Sequence, residues 1–488
     1  MIITFRFIKL LVCCLGFITV VLSARAQPGA NPNGGIKITM LSPVPRDSIY
    51  PYHISVINIR GNKKTKNYII LRQLSFTTGD TILAGNLKAA LEQARRQVYN
   101  TSLFTEVNLD VSEMPDGDIN LDLGVKEKWY LYPAPQFQLV DRNFNEWINR
   151  YNADLERVIY GVKFEHYNLS GRNDRLRIYL LNGYARNLSV SYVNPFSNRN
   201  LNEGWGIGAG FTQQREVSFR TNYYNRLINY RNNGFVRTTL TGSASYLIRR
   251  GLFRTHTFSG LYTHYNVTDS LVKYYNPEYY NSTSGNLGFT DIGYQYLYLN
   301  TNNNAYPLTG SAFAGKITKR GFGITGGINM TALDFLYRRY LPHGHNWYSS
   351  LESFAKLKLP FDQPYINRRS LGYNENYLRG LENYVIDGTA AAVTKYTLRK
   401  KLLSFKLESP LFKKILPAIP FSFYGKTYAD AGYNYIKPQY DTRLNNRFLY
   451  TGGFGLDILT IYDINFSLEY SFNQLGENGL FLHAKGGF

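Results

Sequence analysis

The strongest candidate for chemistry in this chain is an arginine beside a glycine, in NYLRGLENY at residues 376–384. Arg379 and Gly380 stand between Leu378 and Leu381. A guanidinium is always charged and presents a planar fork of donors, so inside any enclosed space it needs a carboxylate. A neighbouring glycine permits close backbone approach. Other candidates are weaker. GSAFAGKI, residues 310–317, nearly spells a phosphate loop, but Ile317 stands where a hydroxyl is required and the surroundings alternate like a strand. His343 and His345 in LPHGHN have no third ligand nearby, so a surface turn without metal is expected. No Gly-x-Ser-x-Gly elbow occurs. The residues point to no enzyme and no cofactor.

The elements that must position Arg379 begin with a leader. MIITFRFIKLLVCCLGFITVVLSARAQ has basic Arg6 and Lys9, an apolar run from Leu10 to Leu22, and a small-x-small ending at Ala24-Arg25-Ala26. The run is shorter than the ~20 residues a spanning helix needs, which predicts a signal peptide over 1–26. Cys13 and Cys14 leave with it, so disulfides, thiol catalysis and thiolate–metal sites are excluded. Losing Arg6, Lys9 and Arg25 takes the 55 basic residues to 52 against 34 acidic, a net +18. In an exported protein that charge suits anionic lipid head groups rather than nucleic acid. The 42 tyrosines and 30 phenylalanines suit a membrane–water interface.

Residues 27–50 read as a linker with several Gly and Pro. Residues 51–128 then read as one small α+β domain in the order β-α-α-β-β. HISVINIRGN is apolar on both faces, through two-sided cover or a bulge, and ends at Gly61-Asn62. Thr65 is the expected N-cap of a short helix turning Ile70, Leu71 and Leu74 inward. Leu87, Ala90, Leu91, Ala94 and Val98 form one stripe on a second helix. Two alternating strands follow, joined at Pro115-Asp116-Gly117-Asp118.

From 129 to 488 the period is two. In INFSLEYSF, Ile464, Phe466, Leu468, Tyr470 and Phe472 face one way and Asn465, Ser467, Glu469 and Ser471 the other. Charged and amide groups sit well inside such strands, which predicts an all-β membrane protein: a C-terminal antiparallel transmembrane barrel with a wet interior and about 16 strands. Pro133 and Pro135 lie in the first barrel strand, and prolines collect at sheet edges. The last strand ends in Gly486, Gly487 and Phe488, with Phe488 on the apolar face. Both sides of the closure read as a weak seam, and an open edge is a template for another strand.

A small β-α-α-β-β domain ahead of a large barrel resembles the BamA/TamA-type outer-membrane assembly factors, whose periplasmic modules are called POTRA domains. ISVINIRGNKKTKNYIILRQLSFTTGD and NTSLFTEVNLDV resemble the module, and YVNPFSN and YPLTGSAF resemble barrel passages. The resemblance implies a barrel in the bacterial outer membrane, with its module in the periplasm. It would help unfolded β-barrel clients insert, in contact with outer-membrane lipids and with periplasmic or lipoprotein subunits. It also implies that Leu378-Arg379-Gly380-Leu381 is a loop motif folded back into the barrel, although the family pattern ends in an aromatic rather than Leu381. Asp430, in YADAG, is then the implied partner of Arg379 on the wall. A second acidic partner is expected one strand earlier; counting back from Pro410 finds Lys406 there, with Glu408 two residues on as the substitute. The runner-up is a transporter that secretes a dedicated partner protein through its pore, though residues 27–50 make a poor plug helix. A passive porin needs neither module nor latch.

Overall fold

The computed structural model describes residues 34–39, 47–139, 152, 154–322, 328–373, 376–408, 418–437 and 442–485. The expected leader and the terminal Gly486, Gly487 and Phe488 lie outside these residues.

The first unit is a sheet with two helices on it. Its elements are β1 (Ile36–Thr39), β2 (Pro51–Arg60), α1 (Asn67–Leu71), β3 (Thr81–Leu83), α2 (Ala84–Tyr99), β4 (Phe104–Glu113) and β5 (Ile119–Glu127). The sheet order is β1-β4-β5-β2-β3. The two-sided pattern of β2 has its cause in a register shift between Ile54 and Val56, which moves the inward face from Tyr52 and Ile54 to Ile57 and Ile59. Leu87, Leu91, Ala94 and Val98 of α2 are buried against β4 and β5. At ~25 cal/mol per Å2, each buried leucine contributes roughly 1.5–3 kcal/mol.

Three expectations change here. Lys66, not Thr65, caps α1, and no side chain closes that end. Thr65 is committed to Glu127 instead, donating to it through its backbone N at 2.7 Å and its Oγ1 at 2.6 Å. Leu71 is exposed, because α1 stops there and the chain turns before Leu74 packs inward. The linker is partly structured: β1 adds parallel to β4, pairing Ile36 with Leu109 and Ile38 with Val111.

The second unit is one sixteen-stranded sheet. It runs through β6 (Leu131–Leu139), β7 (Val158–Tyr167), β8 (Arg175–Gly183), β9 (Ala185–Asn194) and β10 (Glu203–Gln214). A separate hairpin, β11 (Glu216–Thr221) with β12 (Leu227–Arg231), stands above it. The sheet continues with β13 (Arg237–Arg250), β14 (Arg254–Val267), β15 (Asn286–Thr301), β16 (Gly310–Arg320), β17 (Met330–Gly344) and β18 (Trp347–Leu359). A long loop follows, carrying the small pair β19 (Arg369–Leu371) and β20 (Ile386–Asp387). The last strands are β21 (Ala390–Glu408), β22 (Ala418–Tyr435), β23 (Phe448–Leu459), β24 (Asn465–Asn473) and β25 (Asn478–Lys485).

Alternation assigns the faces. On β24, Ser467, Glu469 and Ser471 are buried inside while Phe466, Leu468 and Phe472 point outward. On β25, Leu480 and Leu482 are 61% and 73% exposed on the outer face. This is a barrel turned inside out relative to a soluble fold, apolar outside and polar within. Among the described residues no helix is long and apolar enough to cross a membrane.

The first unit docks on the turns at one end of the barrel. Arg72 donates to the carbonyls of Leu201 and Gly251, at 3.2 and 2.9 Å. Asn100 reaches the Thr301 carbonyl at 2.9 Å. Tyr99 donates to Asp463 at 2.7 Å, and Lys128 lies 3.4 Å from the other carboxylate oxygen.

Candidate functional site

The loop between β18 and β21 folds into the barrel, at the end opposite the docked domain. Leu378 and Leu381 anchor it, both buried in a cluster with Leu371, Tyr384, Val393 and Leu449. Leu381 is 2% exposed there. Between the two leucines the chain must turn sharply, and Gly380 does so at φ +87°. Its backbone lies so close to β24 that a Cβ would stand 2.8 Å from that of Ser471. Asn473 then donates to the Gly380 carbonyl at 2.9 Å.

This turn aims Arg379 at β22. Its backbone N and Nε donate to Asp430 Oδ2 at 2.9 and 3.0 Å, and Nη2 donates to Oδ1. Nη1 donates to Thr397 Oγ1 at 2.9 Å, and Nη2 reaches the Tyr396 carbonyl at 3.3 Å. The guanidinium lies 4.0 Å from the Tyr428 ring centroid. Asp430 is 0% exposed through its side chain and Arg379 only 12%. Two charges so thoroughly removed from water persist only when paired and hydrogen-bonded, as these are.

Glu408 is not a second partner. The β21–β22 ladder sets Lys395 opposite Asp430 and Glu408 opposite Ala418. Glu408 therefore lies more than ~40 Å further along β21 at ~3.4 Å per residue. The acidic group that does approach the latch comes from β24: Glu469 is bonded to Lys426, which also bonds Asp457. Glu469 was visible as a polar-face residue of INFSLEYSF, but alternation alone could not bring β24 beside the loop. The interior holds a cavity of about 490 Å3 lined by Arg338, Glu352, Lys395, Arg399, Lys426 and Asp457 among others.

The structure also gathers Glu382, Glu469 and His483, with their ligating atoms within 4.8 Å of one another. They come from the loop, β24 and β25. No spacing in the sequence announces them, and the two histidines that caught attention are elsewhere. His343 contacts Ser349, and His345 is exposed in the β17–β18 turn.

The seam has a structural counterpart. The sheet order begins at β6 and ends at β25, and among the described residues no ladder joins them. Pro133 and Pro135 lie on β6, paired with Phe164 and Val162 of β7.

Comparison with known proteins fits this architecture. Residues 52–128 match the family described as POTRA, surface antigen variable number repeat. No curated protein sequence matches the chain. BamA from Haemophilus ducreyi, solved without POTRA domains 1–3, is similar with a TM-score of 0.50 and 14% identity, over 89% of this chain and 84% of that one. CdiB from Escherichia coli has a TM-score of 0.49 and 12% identity, over 89% and 75% of the two chains. The POTRA module and the sixteen-stranded barrel define an outer-membrane β-barrel with its module in the periplasm. The chain carries a POTRA module over residues 52–128 and shares the fold of BamA.

Proposed function

We propose that this protein assists insertion of β-barrel proteins into the outer membrane, by strand pairing rather than covalent chemistry. The observation that carries the reading is the unjoined pair of terminal strands, β6 and β25. An unpaired strand edge is a template for an incoming strand. Pro133 and Pro135, which lack ladder donors, weaken the β6 side. The Arg379–Asp430 latch holds the loop against β22 and β24, so the strands leading to the seam keep their shape while it opens. The periplasmic module receives unfolded clients and meets periplasmic or lipoprotein subunits, while the apolar outer face meets lipid.

Depletion of the protein, with every outer-membrane protein quantified against an undepleted control, tests this. A fall in β-barrels with unfolded barrels accumulating in the periplasm is expected. Unchanged barrels would sink the reading. A second reading, export of a dedicated protein through the pore, is favoured by the charge-lined interior cavity. In that case depletion strands one soluble substrate in the periplasm and leaves barrels untouched.

A further inference from the structure

We propose that Glu382, Glu469 and His483 form a transition-metal site, fitted to Zn2+, that fastens the interior loop to the last strand of the barrel.

The fold places the three with little freedom. His483 of β25 pairs with Ser467 of β24, and Glu469 lies two residues further along that strand on the same inner face. Such diagonal neighbours are within reach of each other when both side chains are long. Glu382 arrives from the loop, three residues past Arg379, so the latch sets its position. Tyr377 stacks on the His483 ring at 6.1 Å between centroids and restricts its rotation.

Glu382 Oε1, Glu469 Oε2 and His483 Nε2 are buried and face one another, with the imidazole within ion-pair distance of both carboxylates. The Glu469 side chain is only 6% exposed. Two carboxylates and one imidazole thus converge on one point inside the barrel, a donor set that a shared cation would satisfy together. His483 Nε2 lies 3.2 Å from Glu382 Oε1 and 3.6 Å from Glu469 Oε2. Two donors on tetrahedral Zn2+, each ~2.0–2.2 Å from the ion, stand roughly 3.3–3.5 Å apart. The separations are those of ligands around a shared ion, and the cavity beside them leaves room for water as the fourth.

The surroundings select the kind of ion. Two carboxylates and one imidazole suit Zn2+, whereas Mg2+ and Ca2+ prefer more oxygen ligands. Lys426 holds the other oxygen of Glu469, orienting the carboxylate as outer partners of metal ligands do. Lys395 and Lys485 also face the cavity, so a diffusely held cation is repelled and only a tightly coordinated one is retained.

The test uses the full-length protein, untagged and folded in detergent, stripped with EDTA and titrated calorimetrically with Zn2+ and separately with Mg2+. One Zn2+ per chain is expected, with no Mg2+ heat. His483→Ala and Glu382→Gln should each weaken binding by ~100-fold or more, since even outer-shell changes reach that range. His345→Ala should leave it unchanged. Absence of Zn2+ binding, or binding lost with His345 but kept without His483, would overturn the site. Heat-dependent gel migration reports whether each barrel is folded. If His483→Ala does not fold, Glu382→Gln, which lies in the loop rather than the sheet, decides the matter alone.

Discussion

Arg379 and Asp430 are joined by backbone and side chain together: the same carboxylate accepts from the arginine's own peptide N–H at 2.9 Å and from its guanidinium. A loop fastened this way is fixed in position and direction at once, since neither contact can be made unless the turn at Gly380 is correct. This relationship should dominate the stability of the loop. Arg379→Ala and Asp430→Ala should each destabilise it by about 3–5 kcal/mol, the range for stranding one member of a buried pair. The double variant should cost little more than either single, and a urea-unfolding cycle reads the coupling. Additive losses would separate the two residues.

Gly380→Ala should lose roughly 1–2 kcal/mol from the left-handed backbone alone, with a further loss from the contact at Ser471. Adding Ser471→Gly should restore only the second part. Loop protection from protease in intact cells is the readout, and full rescue by the second change would mean that backbone strain is negligible.

If the seam must open, cysteine pairs introduced along β6 and β25 and oxidised to disulfides should abolish client insertion, and reductant should restore it. Equivalent pairs locking β24 to β25, which share a complete ladder, should have no effect. Insertion that survives every β6–β25 crosslink would place the client elsewhere.

The docking of the module on the barrel should respond to alkaline pH in two opposed ways. Burial, helped by Asp463, pushes the Tyr99 phenol above the usual tyrosine range. The folded state therefore keeps a proton that the unfolded chain loses above about pH 10, and stability falls beyond that point. Lys128 has the opposite sign: burial outweighs Asp463 and lowers its ammonium below the usual range. The unfolded chain then holds the extra proton, and stability rises with pH until about 10.4. Stability of the docked module should pass through a maximum near pH 10. Tyr99→Phe should remove the falling limb and Lys128→Met the rising one, measured by denaturation at each pH.

How much was legible depended on whether a feature is periodic or convergent. INFSLEYSF announces β24 because its burial repeats every two residues, and the α2 stripe announces its helix the same way. β1 did not announce itself: IKIT is four residues in a polar, glycine-containing stretch, and only the free edge of β4 makes it a strand. Glu408 misled because a proline count gives distance along a chain but not register. β21 is 19 residues long with a bulge between Lys401 and Leu403, which carries Glu408 to the periplasmic end. The set Glu382, Glu469 and His483 was illegible for a deeper reason, since no local rule brings a loop, β24 and β25 to one point.

The strand β1 has a kinetic consequence. It occupies the β4 edge while joined to β2 through the eleven residues between Thr39 and Pro51, so it rebinds as though present at roughly millimolar concentration. An incoming peptide that pairs with that edge must outcompete a rival that never diffuses away. Weak, fleeting segments are turned back at this edge, and only a peptide that gains further contacts on the module displaces β1.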